Sequence, residues 1–439
     1  MNNVVDIIII GGGITGLYAA YQIKRIVPPN TTFLILEKNQ KQWLGGRAGN
    51  ETFYGANIVV GAGVGRKGKD RALIKLLKDT KTRTSEFTSS RSYVPRALFQ
   101  PDDIMKTMQR LKHEYNKRPE HYRHSQKTFK QFFIDTLGED EYRSFVISAG
   151  YTDFEDADIY ETLYHYGMDD NVSGWTAIHV PWKDLIESLY QKIGGSKHFR
   201  FSTEVTRIRK IEFKPGSGSG SGPRCIFEVS TSTPGSNKVY YANKVVVATT
   251  VDAVRKIVPG ASSRASVYQQ IQGQPFLIVY AKFDRESTEI MKKYVTSFTV
   301  LQTGHLQKMI PMDPDKGVYM IAYSDNHHAR TLKAKGALEN TRKNCEMYSK
   351  WAADALGIPP STPIHIIAIK DYYWSIGTHY YTPLNKEFKT RTEFIRNAQH
   401  PEKGMVVVGE MVSRDQGWVE GALESVDAVI TREWVSTLY

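Results

Sequence analysis

Cysteine is scarce in this chain: only Cys225 and Cys345 occur in 439 residues. Neither sits in a C-x-x-C or zinc-type spacing, so a disulfide framework and a zinc-built fold are both excluded, and one disulfide is the most the pair allows. No stretch of about eighteen apolar residues occurs, which excludes a membrane-spanning helix. The N-terminus enters an apolar segment almost at once, so no secretion signal is expected. These absences together predict a cytoplasmic or other intracellular reducing compartment. No acid–base dyad and no metal-ligating cluster is visible in the spacing, so no metal is expected.

The composition that is present is ordinary for a folded protein, with 41% hydrophobic and 24% charged residues. The length exceeds one ordinary core and predicts two intertwined domains. The formal net charge of +12 invites an anionic partner, and part of it is concentrated between Lys106 and Lys130, with tyrosines interleaved. No nucleic-acid motif accompanies that stretch. The expected reading is a solvated helical face, with nucleic acid not a partner.

The most informative stretch is IIIIGGGITG, Ile7 to Gly16. Four isoleucines suit a strand buried on both faces. Gly11, Gly13 and Gly16 then form G-x-G-x-x-G ahead of a helical pattern that ends before Pro28-Pro29. In that spacing the first glycine permits the tight turn, the second lets backbone approach a pyrophosphate, and the third lets the helix pack close. The helix N-terminus presents free N–H groups to the phosphates. A second strand, Phe33 to Leu36, ends in Glu37, about twenty residues past the last glycine, where an acid can hold a ribose hydroxyl.

Gly45-Gly46-Arg47 follows: two glycines for close backbone approach and an arginine suited to phosphate. Residues 53 to 66, FYGANIVVGAGVGR, are rich in small residues, as for a backbone lying against something flat. From Lys69 to about Tyr190 the spacing predicts mostly helices. Within it, YTDFEDADIYE carries Asp153, Glu155, Asp156, Asp158 and Glu161. Such a cluster on a basic protein can attract a cationic substrate, and it can equally cap a helix or face water. From Phe199 the pattern turns to strands, with a Gly/Ser-rich hairpin tip at 215–223. Buried strands recur at VVVATT (245–250) and GMVVVGE (404–410), the latter leading into a helix starting near Gly417.

The series GGGITG (11–16), Glu37, GGR (45–47), VGE (408–410) and GWVEGALES (417–425) resembles the flavin-containing amine oxidases, over nearly the whole chain. That resemblance implies an α/β fold: a Rossmann-like FAD-binding domain (1–68, 195–255 and 400–439) interleaved with an α+β substrate domain (69–194 and 256–399) that includes a helical insertion. It implies FAD as cofactor, with an amine among small-molecule substrates, and oxidation of a C–N bond. Carried over by position, Glu37, with Lys38 beside it, lies at the adenosine ribose. Gly11, Gly12, Gly13, Ile14, Thr15, Gly16, Gly45, Gly46 and Arg47 lie around the pyrophosphate. The resemblance further places Val205 at the adenine, Gly409 and Glu410 at the ribityl chain, and Gly417, Trp418 and Val419 at the flavin pyrimidine edge. The segment YYWSIGTHYY (372–381) resembles that family's substrate-facing aromatics, which makes Trp374, Tyr380 and Tyr381 the catalytic candidates.

Two departures stand out. The family's flavin-facing lysine has no counterpart near Phe276, and Lys282 lies far along the same strand. The position of its covalent cysteine holds Thr378-His379, so non-covalent FAD is expected. Carotenoid desaturases, protoporphyrinogen oxidases and Rab-escort-type binding proteins share parts of this architecture and remain alternatives.

Overall fold

The computed structural model describes residues 4–94, 103–213 and 224–436. The Gly/Ser-rich tip at 215–223 lies outside them. The isoleucine run forms β1 (Val4–Ile10), and Ile7, Ile8 and Ile9 have no exposed surface. A strand buried on both faces needs neighbours on both edges, and β1 has them. β2 (Phe33–Leu36) lies parallel on one side and Ser236–Val247 parallel on the other. Outward from these, the sheet continues through Arg224–Thr233 to Glu204–Phe213, and beyond β2 to Phe199–Arg200. Met405–Val407 adds in parallel beside residues 245–247, so the last buried segment of the chain joins the first sheet.

One face of this sheet is covered by α1 (Ile14–Ile26) and α2 (Val419–Val429). Arg71–Asp79 and Trp182–Ile193 pack into the same core through Leu73, Leu76, Leu77, Trp182, Leu185 and Leu189. Sequence position places these two helices in the second domain. Their apolar stripes are instead buried under the first sheet, because α1 leaves a flank that they close. The expected C-terminal helix is two helices, α2 and Arg432–Ser436.

The second sheet is built on β3 (Ile271–Phe283), β4 (Val318–Asp325) and β5 (Ile366–Tyr381). Its order runs β5, β3, β4, Lys308–Asp313, Phe298–Leu301, Arg91–Val94. β5 runs on past Trp374, so all three aromatic candidates share one strand. Three strands, Ser85–Thr88, Arg91–Val94 and Thr176–His179, interrupt the stretch read as mostly helical. They are short and pair only with distant segments, so local periodicity does not reveal them. The helical insertion has its own core of Phe129, Phe132, Phe133, Phe145 and Phe154. Its basic face is laced with acids: Lys106 pairs with Asp103, Arg110 with Glu141, Lys117 with Glu114, Lys127 with Asp135 and Lys130 with Glu155. That is the pattern of a solvated face.

Candidate functional site

A cavity of about 1920 Å³ runs between the two sheets. At one end stands the glycine turn. Gly11 has φ +106°, and a Cβ there would lie 2.4 Å from the Ala248 carbonyl oxygen. A Cβ on Gly16 would lie 2.0 Å from the Gly11 carbonyl oxygen, so α1 approaches the turn only as glycine permits. The Gly12 N–H donates to Glu37 Oε2 at 2.6 Å, and the Asn39 N–H to Oε1 at 2.7 Å. These bonds fix the buried carboxylate of Glu37 at the cavity wall. Lys38 is exposed beside it. The Gly45 N–H bonds to the Gly12 carbonyl and the Ile14 N–H to the Gly45 carbonyl, which seats the GGR loop on the glycine turn. Gly46 has φ +62°.

The first turn of α1 carries no side-chain cap at Gly13, and that of α2 carries none at Trp418. Both helix starts line the same cavity, as do Gly13, Ile14, Thr15, Gly417, Trp418 and Val419. Two uncapped N-termini therefore offer N–H donors and positive dipole ends to one anionic guest. Between them runs the backbone of Gly61 to Val64, and a Cβ on Gly63 would meet nothing within 4 Å. Val205 also lines the cavity, next to a register shift between Val205 and Arg207 that interrupts the ladder there.

A knot of charge closes the middle. Arg47 Nη1 donates to the Gly377 carbonyl at 2.6 Å and to Glu410 Oε1 at 3.2 Å. Glu410 is buried, bonded to His379 Nδ1 at 2.5 Å and receiving the Gly417 N–H at 3.2 Å. Burial opposes the charge on Glu410, but His379, Arg47 and the Gly417 N–H outweigh it and hold the carboxyl at about 2. His379 Nε2 accepts the Val251 N–H at 3.2 Å, so its proton sits on Nδ1. Gly409 reaches its φ of +133° outside the lining and donates its N–H to Ser425 Oγ.

The three aromatic candidates separate. Trp374 lines the cavity, and its Nε1 donates to the Val60 carbonyl at 2.7 Å. Tyr381 does not: it is buried against Phe394 and Arg391, with its hydroxyl on the Ser413 carbonyl at 2.8 Å. A register shift between Gln274 and Phe276 interrupts the ladder between Trp374 and Tyr381, so simple alternation does not relate their faces. Tyr380 is half-buried and also outside the lining. On β3 the cavity meets Phe276 and Ile278, while Lys282 turns away to the Lys316 carbonyl.

Of the acidic cluster, Glu155 bonds Tyr142 and pairs with Lys130, and Asp156 faces solvent. Asp158 caps the helix Ile159–Tyr164, and Glu161 pairs with Arg414. Only Asp153 lines the cavity. Sequence reasoning missed two buried groups. Arg66 meets Asp70, Asp170 and Asp415 and lies 3.9 Å over the Trp418 ring. Lys308 is buried behind Tyr151 and Tyr323. An arginine four residues before an aspartate was the available signal for the first; the second has none. Cys345 is buried and free. Among the described residues, no helix is long and apolar enough to cross a membrane.

This fold is an α/β architecture built on two large sheets and two small ones, with a Rossmann-like dinucleotide-binding unit, and the family described as NAD(P)-binding Rossmann-like domain matches residues 9–80. No curated protein sequence matches the chain. Among solved structures, the whole chain is similar to putrescine oxidase. A triple mutant from a redesign of that protein's cofactor binding gives a TM-score of 0.71, with 97% of this chain and 98% of that chain covered. The wild type bound to putrescine gives 0.67 with the same coverage. Identity is 14% in both cases, so the likeness is one of fold.

Proposed function

We propose that this chain binds FAD without a covalent link and oxidises a C–N bond of an amine. The observation that carries the reading is the single cleft with an uncapped helix start at each end, Glu37 beyond the first and a Trp374–Phe276 wall beyond the second. An extended dinucleotide fits that layout. Glu37 takes the ribose hydroxyls, and the free N–H groups at the start of α1 and the free donors of Arg47 take the phosphates. Val205 backs the adenine, and Glu410 stands at the ribityl chain. The start of α2 faces the pyrimidine edge, where its N–H groups stabilise negative charge. The fold's likeness to putrescine oxidase supports the same reading.

When bound, FAD supplies the acceptor for the hydride equivalent taken from the carbon beside the amine nitrogen, and the imine formed then hydrolyses. The chain's part is to bind, orient and dehydrate. Phe276, Ile278 and Trp374 make a dry slot that favours the neutral amine needed for oxidation. His379 is held between Glu410 and Val251 and offers no free nitrogen for a covalent attachment. A reducing intracellular compartment suits the free Cys345. The test is to reconstitute the purified protein with FAD and mix it anaerobically with a panel of amines. The yellow holoprotein should bleach. A protein that stays colourless with FAD, or one that no amine bleaches, overturns the reading.

A further inference from the structure

The strands of the first sheet start at staggered levels. Val4, the first residue of β1, pairs with Tyr241, and Phe33, the first of β2, pairs with Ile7. Residues 236–240 thus project past the start of β1, and β1 projects past the start of β2. On the far side of β2, Phe199 and Arg200 pair with Ile35 and Leu36. At this end of the sheet lies a notch of about 720 Å³, a size suited to a small molecule. It shares no lining residue with the main cleft.

The notch has two kinds of wall. Val5, Leu34 and Tyr240 give it an apolar floor. Lys238 stands on one rim, two residues before Tyr240 and so on the same face of its strand. Lys197 and Arg200 stand on the other rim, and all three cations are exposed. Among the described residues, no carboxylate pairs with any of the three, and no acid lines the notch. Arg200 places Nη1 on the Phe199 carbonyl at 2.9 Å and keeps the rest of its donor fork. Asp6, beside Val5, is taken up elsewhere. Its carboxylate accepts the Thr32 N–H and hydroxyl, both at 2.8 Å, and the Asn243 amide at 3.4 Å.

The basic rim is held in place from behind. His198 donates Nδ1–H to the Phe33 carbonyl at 3.1 Å, since a carbonyl only accepts. Its ring stacks on Phe33 at 4.1 Å with 5° between the planes. The Arg200 carbonyl accepts the Glu37 N–H at 2.9 Å. Burial holds the His198 imidazole below its ordinary value; the Phe33 carbonyl works against that, and Lys197 and Lys24 add to it. Cations gathered without counter-charge repel one another, and an anion placed among them relieves that repulsion.

We propose that this notch is a second ligand site, taking a compound that joins a phosphate or diphosphate to a less polar body. The phosphate sits among Lys197, Arg200 and Lys238, where the arginine fork can engage two oxygens at once. The body lies over Val5, Leu34 and the edge of Tyr240.

The experiment is calorimetric titration of the purified protein with ADP, inorganic pyrophosphate and adenosine at physiological salt, in excess FAD so that the main cleft is filled. ADP should saturate one class of sites. Pyrophosphate should bind several-fold more weakly for want of a body on the floor, and adenosine should give no saturable heat. Lys197→Glu combined with Lys238→Glu should weaken ADP roughly 10-fold or more, because each change sets a like charge against the phosphate. If that double variant fails to fold, Arg200→Gln replaces it, and ADP should weaken several-fold. Absence of binding by either phosphate overturns the site. So does an affinity for ADP that the variant leaves unchanged, which puts the ligand elsewhere. Adenosine as tight as ADP overturns the role of the cations, and pyrophosphate as tight as ADP overturns that of the floor. Heparin binding without ADP binding makes the face a general basic surface and overturns the proposal too. A protein that takes up no FAD sinks the flavin reading alone. Lys197 and Lys238 lie outside the main cleft, so the variant comparison still decides this site.

Discussion

Replacing Glu410 with glutamine tests the charge knot at the centre of the cleft. The carboxyl sits at about 2 against an ordinary 4.5. That difference favours the charged, folded form by about 3 kcal/mol. The sign follows from the direction. A carboxyl whose folded value lies below its unfolded value stabilises the fold fully above the unfolded value, and the contribution fades as pH falls toward the folded one. Glutamine keeps the acceptor for the Gly417 N–H but cannot neutralise Arg47. Its NH₂ group would also oppose the Nδ1–H of His379 if it turned that way. The variant should thus be about 2 to 4 kcal/mol less stable in urea at pH 7, as for a broken buried pair. Near pH 3 the gap to wild type should shrink by about half or more. The assay is paired urea unfolding of the two apo-proteins at both pH values. A gap under about 0.5 kcal/mol at pH 7, or a gap that is the same at both pH values, would refute the argument.

Four further outcomes follow from the same geometry. Gly16→Ala forces a Cβ to 2.0 Å from a backbone oxygen, and should yield protein without bound flavin, read from the absorbance of the purified sample. Glu37→Ala leaves the Gly12 and Asn39 N–H groups without their acceptor, and should weaken FAD binding by roughly 10- to 100-fold in a fluorescence titration. Arg66→Met strands Asp70, Asp170 and Asp415, and should cost about 3 to 5 kcal/mol in urea unfolding. If the proposed amine-oxidising reading holds, the apolar Phe276 and Ile278 on the β3 wall of the cavity offer oxygen no cation, and reduced holoenzyme should be reoxidised more slowly by oxygen than by an artificial dye, measured by stopped flow.

The first sheet was legible because its signals are local and redundant. A four-isoleucine strand, a glycine turn and an acid at the end of the next strand lie within one continuous stretch, and the structure joins them through two short hydrogen bonds to Glu37. The aromatic candidates were only partly legible. Residue type identified the segment, but which face of β5 meets the cavity depends on register with β3, and register is set by pairing across a hundred residues. Hence Trp374 faces the cavity and Tyr381 the core. Asp153 was visible only as one of five acids. Separating it from Glu155, Asp158 and Glu161 requires the positions of Lys130, Arg391 and Arg414, which come from three other segments.

The cleft is assembled by the two ends of the chain, and the bonds that join them are not confined to the guest's surface. The Glu420 carboxylate, on α2, receives the N–H groups of Ala72 at 2.7 Å and Leu73 at 2.9 Å, and so caps the helix Arg71–Asp79. The Tyr18 hydroxyl, on α1, reaches Asp427 at 3.0 Å. Arg66 reaches Asp415 at 2.7 Å, just before the Gly417 turn. These contacts fix the start of α2 within the protein's own fold, so its free N–H groups need little reorganisation to meet an anionic guest. They also explain why the small residues before Arg66 and the glycines around Trp418 belong to one device. Arg66 grips the loop that leads to Trp418 and lies against that ring, and the Gly61–Val64 backbone lines the same cavity. A change at Arg66 therefore acts on the cavity wall through Trp418, even though its own guanidinium is buried among carboxylates.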